Sequence, residues 1–182
     1  MEYKDSNLVL EVSKNVNPDV WDEGFFENFF DLLFRKRSYQ KEAASTALRF
    51  LNSGEYQNIK DLAKENFEKN EVIRARWNND FSIMENDLDL SEKLSATLDL
   101  ATGTGKSYVM FAIALVMLAT KKVSRVLVLV PSVTIESELT QKFKNLLGNQ
   151  QLLRTLGDDF IPPQILNGDS TLVENSIAIE NR

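Results

Sequence analysis

Cysteine and histidine are both absent from the 182 residues, and each absence removes a class of chemistry. Without thiols there is no disulfide framework, no thiolate nucleophile and no Cys-ligated zinc. Without imidazole there is no Ser-His-Asp relay, and acid–base work near neutral pH has no histidine to carry it. Prolines number four and glycines seven, too few for a collagen-like or low-complexity chain. No apolar run reaches the roughly 20 residues of a membrane span: the longest, 108–120, is bounded by Lys106 and by Lys121-Lys122. Met1-Glu2-Tyr3-Lys4-Asp5 has no basic region leading into an apolar stretch, so a secretory signal is not expected. A cytoplasmic protein without membrane contact is the expectation.

With 43% hydrophobic residues the chain has the means to build a core, burying roughly 70% of the surface that its unfolded form exposes. The formal charge of −6 does not favour nucleic acid, but it is unevenly spread. Residues 101–150 hold six basic groups (Lys106, Lys121, Lys122, Arg125, Lys142, Lys144) and two acidic ones (Glu136, Glu138), a balance of +4 that leaves −10 elsewhere. That asymmetry allows a local basic face.

At the head of this basic stretch stands Ala101-Thr102-Gly103-Thr104-Gly105-Lys106-Ser107. Glycines let consecutive backbone N–H groups approach phosphate oxygens with no Cβ in the way, a lysine neutralises the β and γ phosphates, and a following serine offers a hydroxyl to Mg²⁺ at a helix N-terminus. The strict pattern G-x-x-x-x-G-K-[ST] has Leu100 at its first glycine, so the loop is the variant with alanine one position later. Its flanks match the motif. Ser95-Ala96-Thr97-Leu98-Asp99-Leu100 alternates like a short strand, 108–120 is an apolar helix, and 123–130 is a β-branched strand. The candidate ATP–Mg²⁺ site is therefore Thr102, Gly103, Thr104, Gly105, Lys106 and Ser107, with Ser107 as the metal ligand.

Ahead of the loop, Asn17-Pro18-Asp19 reads as a helix start. Trp21, Phe25, Phe29 and Leu33 follow at four-residue spacing beside Phe26, Phe30 and Phe34, which predicts one broad aromatic core face. Arg35-Lys36-Arg37 closes that helix, and Ser38 caps a second one through Leu51, with Tyr39, Ala43, Ala47, Leu48 and Leu51 available to the core. Residues 53–94 read as a polar, acid-rich insertion or linker. Beyond the loop, Thr134 is expected to cap a helix reaching Leu147. The tail holds the turn Gly157-Asp158-Asp159 and short apolar stretches at 165–166 and 177–179.

Arg37-Ser38-Tyr39-Gln40, the loop 101–107 and a strand running into Pro131 follow the order at the front of superfamily 2 helicases, and the chain most resembles the motor (R) subunit of type III restriction enzymes. The resemblance implies an α/β fold, a RecA-like P-loop NTPase domain with a parallel sheet, here incomplete. It divides the chain into a helical segment with an adenine-contact element (1–52), the insertion (53–94), and the front of the ATP-binding domain (95–182). It further implies that Gln40 reads the adenine edge, that Ser132 and Thr134 touch a nucleic-acid backbone, and that the partners are double-stranded DNA and a DNA methyltransferase subunit. In the implied sheet, 95–100 and 126–130 are parallel strands with others between them.

No Asp-Glu-x-His/Asp box follows the loop within the sequence, and Asp158-Asp159 lacks the preceding apolar strand of a substitute. No catalytic residue is therefore assigned. Nucleotide binding without useful hydrolysis is the expectation for these 182 residues, since turnover needs groups that act on the transition state. A different P-loop enzyme of kinase type, or a non-catalytic nucleotide-binding module, is the alternative on the loop alone.

Overall fold

The computed structural model describes residues 9–166; the first residues of the Met1 terminus and the apolar stretch 177–179 lie outside them. The helix expected from Pro18 begins later. The Asn17 side chain accepts from the Asp19 N–H at 3.0 Å, and its carbonyl accepts from Val20 and Trp21, closing a turn instead. Asp22 then caps a short 3-10 helix, Glu23–Phe26, which leads into α1, Glu27–Phe34. The 3-10 turn winds by three residues instead of 3.6, so the aromatic series does not stay on one face. Trp21, Phe26, Phe29, Phe30, Leu33 and Phe34 are buried, but Phe25 is 53% exposed.

Helices α2 (Ser38–Asn52) and α6 (Lys106–Ala119) form the centre of the molecule. They run side by side in the same direction: Gln40 meets Thr104 at one end, and Asn52 accepts from the Thr120 hydroxyl at 3.2 Å at the other. Phe29, Phe30 and Phe34 of α1 pack with Ala44 and Leu48 of α2 and with Phe111, Ala112 and Leu115 of α6. Between the two central helices in sequence lie α3 (Ile59–Lys69), α4 (Glu71–Arg76) and α5 (Phe81–Asp87). Their caps are local and strong: Asn58 and Asp61 form a reciprocal capping box, and Asn70 accepts from the Val72 and Ile73 N–H groups. These helices enclose a core of their own around Phe67, Ile73, Trp77 and Met84, so the polar stretch is folded.

Tyr56 fastens α3 to the N-terminal strap. Its hydroxyl donates to Glu65 at 2.6 Å and accepts from the Ser13 N–H at 3.2 Å. Burial first, and then the bond to the Glu65 carboxylate, push this phenol up to about 12. A raised acid is stabilising while protonated, so its contribution is complete below the unfolded value of about 10 and fades as pH rises through the folded one. A spectrophotometric titration is expected to show one late-ionising tyrosine near pH 12, which vanishes in Tyr56→Phe together with about 1–2 kcal/mol of stability.

Beyond α6, α7 (Val133–Leu147) packs on it through Phe143, whose ring lies 5.1 Å from that of Phe111. Helix α8, Gln150–Arg154, closes the same core with Leu152 and Leu153. The expected cap of α7 is displaced by two residues: Ser132, not Thr134, accepts from the Ile135 N–H. Thr134 lies in the first turn.

No strand is formed among the described residues, so the parallel sheet expected from 95–100 and 126–130 is absent there. Both segments flank the same side of α6, lining an apolar cleft of about 410 Å³ with Val109, Met110, Ile113 and Met117. A strand needs a neighbour for its backbone donors and acceptors, and in the expected strand order the neighbours lie between these two segments. The alternation of side chains is retained: Val128 packs on the core while Leu127 and Leu129 are more than four-fifths exposed. No helix among the described residues is long and apolar enough to cross a membrane.

Candidate phosphate-binding site

The loop 101–107 is folded by its own residues and held from below by α2. Thr104 bends it into a tight turn, its N–H and hydroxyl donating to the Ala101 carbonyl at 3.3 and 2.6 Å. Gly103 and Gly105 adopt φ of +80° and +79°, a region that costs other L-residues about 1–2 kcal/mol. The Thr104 carbonyl is gripped twice from the start of α2, by the Gln40 amide Nε2 and by the Tyr39 hydroxyl at 3.1 Å. Tyr39, expected in the core, is 47% exposed because its hydroxyl reaches up to the loop.

Three observations fit a phosphate group here. No side chain caps the N-terminus of α6, so the positive end of its dipole is not compensated by a capping group there, while the Tyr108 N–H of its first turn donates to the Gly105 carbonyl. A Cβ added at Gly103 would meet nothing within 4 Å, so the loop is open on its outer side, whereas one at Gly105 would come within 2.4 Å of Gln40 Nε2. Lys106 is exposed and forms no ion pair with a described residue. Gln40 is buried, and its Oε1 is an enclosed acceptor with no hydrogen-bond partner among the described residues.

Ser107 opens the helix beside Lys106, and its Oγ accepts from Lys142 Nζ at 2.7 Å. Among the described residues no group of three or more His, Cys, Asp or Glu is placed to hold a metal. A magnesium ion here would thus depend on Ser107 and on nucleotide phosphates, the usual manner of its binding. Asp158-Asp159 sits in an exposed turn, as its sequence context indicates.

Of the sequence-derived candidates, the fold brings Gln40, Thr104, Gly105, Lys106 and Ser107 together at the facing ends of α2 and α6, while Thr102 is exposed on the rim of the turn. Ser132 and Thr134 are exposed at the start of α7, and Ser132 is engaged in its cap. Lys142 and the loop contact of Tyr39 were not legible as site features. Lys142 was visible only as one of six basic residues, because 35 positions separate it from Ser107 and only packing brings them together. For Tyr39 the signal was present, since it adjoins Gln40 in the Arg-Ser-Tyr-Gln element.

A family model described as type III restriction enzyme, res subunit, matches residues 33–179, a span that includes the whole loop and both contacting residues of α2. No curated protein and no solved structure matches the chain.

Proposed function

Because the chain belongs to the family of type III restriction enzyme res subunits, we propose that it binds ATP with Mg²⁺ through the loop 101–107, as the nucleotide-binding front of a DNA translocase. The family is one of ATP-dependent, helicase-like restriction subunits with a P-loop helicase fold. The observation that carries the reading for this chain is the joint between Gln40 and the Thr104 carbonyl. It ties the Arg-Ser-Tyr-Gln element to the loop, so that a group held by one is positioned against the other.

In this reading the residues divide the work. Backbone N–H groups of Gly103, Gly105, Lys106 and Ser107 and the α6 dipole hold phosphate oxygens, and Lys106 neutralises their charge. Gln40 keeps its Nε2 on Thr104 and offers its free Oε1 to the exocyclic amine of adenine. Ser107 supplies the protein's ligand to magnesium, which when bound neutralises phosphate charge. Ser132 and Thr134, exposed at the N-terminus of α7, contact the backbone of double-stranded DNA, and a modification methyltransferase is the partner subunit.

Calorimetric titration of Mg·ADP tests the core of this. Lys106→Ala is expected to weaken binding about ten- to a hundredfold, the worth of one charge-assisted contact. Equal affinity in wild type and variant would overturn the assignment.

A further inference from the structure

Lys142 approaches the loop from a different helix. Its ammonium donates to Ser107 Oγ at 2.7 Å and stands 4.2 Å from the centroid of the Tyr108 ring. The neighbouring Phe143 is buried against Phe111, so the backbone that delivers the lysine is anchored to α6. No ion pair joins Lys142 to a described carboxylate, and the serine hydroxyl and the aromatic face are its contacts.

We propose that Lys142 senses the metal: it holds the Ser107 hydroxyl in the magnesium-free site and must leave that oxygen when Ser107 ligates magnesium. The inference rests on the nucleotide reading above. Ser107 Oγ cannot serve both cations. A magnesium–oxygen contact is about 2.0–2.1 Å long, and an ammonium at its present distance from the same atom would lie roughly 3–4 Å from the divalent charge, a strongly repulsive separation. The flexible four-carbon stem of lysine lets the ammonium swing away without unfolding α7.

Calorimetry with ADP in EDTA and ADP in excess Mg²⁺, on wild type, Lys142→Met, Lys142→Arg and Lys106→Ala, tests the proposal. The methionine keeps the apolar stem over Tyr108 and removes the charge. The ratio of affinities with and without magnesium should rise about tenfold in Lys142→Met, while Lys142→Arg stays near wild type. In wild type the ε-methylene protons of Lys142, shielded by the Tyr108 ring, should keep their NMR position with metal-free ADP and move downfield with Mg·ADP. That second readout decides the matter even if Lys142→Met fails to fold. If the ratio is unchanged and the signal does not move, while Lys106→Ala still loses ADP, the sensing role falls and the nucleotide site stands. If wild type binds ADP in neither condition, the nucleotide reading falls and the sensing role falls with it.

Discussion

Gly105→Ala is expected to lower stability by about 2–4 kcal/mol and to weaken Mg·ADP binding by about a hundredfold or more, whereas Gly103→Ala lowers stability by only about 1–2 kcal/mol. The two glycines share the same backbone conformation, with φ of +79° and +80°, so the cost of forcing a side chain into the left-handed region is common to both. Their surroundings differ. The alanine methyl at 103 meets nothing within 4 Å, but at 105 it falls 2.4 Å from Gln40 Nε2. Gln40 is buried, so it yields only by giving up its bond to the Thr104 carbonyl, and the loop then loses the grip that shapes it. Urea unfolding of the two variants beside the double variant Gly105→Ala/Gln40→Ala measures this. The second substitution should cost less on the Gly105→Ala background than alone; additive effects, or equal losses at 103 and 105, would refute the close-approach account.

Phe30→Ala should be the most destabilising truncation in the aromatic segment, at about 3–5 kcal/mol. Its ring is fully buried, 5.7 Å from that of Phe29 and 5.9 Å from that of Phe34, and it joins the α1 segment to the core shared with α2 and α6. Against a total stability of about 5–15 kcal/mol, a loss of that size leaves a marginal fold. Phe25→Ala is the control. Its ring is half-exposed and meets Phe26 edge-on at 4.9 Å, and its removal should cost about 1 kcal/mol, the worth of an aromatic pair at a wet surface. Denaturation midpoints that fail to separate the two variants would show that the aromatic segment is not packed as described.

That contrast also marks the limit of what the sequence discloses. Four-residue spacing placed Phe25 and Phe29 on one face, and for Phe29 the rule holds because α1 has already begun there. Phe25 lies within the 3-10 turn, whose tighter winding follows from the Asn17 turn and the Asp22 cap, local hydrogen bonds that compete with the helix. Helices α6 and α7 were legible to within a residue or two, since apolar content, Gly105 before α6 and Gly148 after α7 bound them. The strands were not, because a strand is defined by a partner and a partner is not a local property. Val128 and Leu129 alternate as a strand does, with no ladder to join among the described residues. At the site, the loop was readable from its glycines and lysine, which act through their own backbone and charge. The Lys142–Ser107 contact depends on how Phe143 seats α7 against α6, and no local pattern records that.

The shared direction of α2 and α6 has an electrostatic consequence. Two helix dipoles lying alongside each other with the same polarity repel, and here their positive ends converge on one small volume, at Gln40 and Gly105. Neither helix has a side-chain cap at that end, and Arg37 stands at the cap position of α2. Without an anion the pair of helices is therefore held together by its apolar contacts and by the hydrogen bonds at its two ends, against its own field. An anion placed between the two ends relieves that opposition whatever its identity, so pyrophosphate or sulfate alone should raise the melting temperature, and the gain should shrink as an inert salt screens the field.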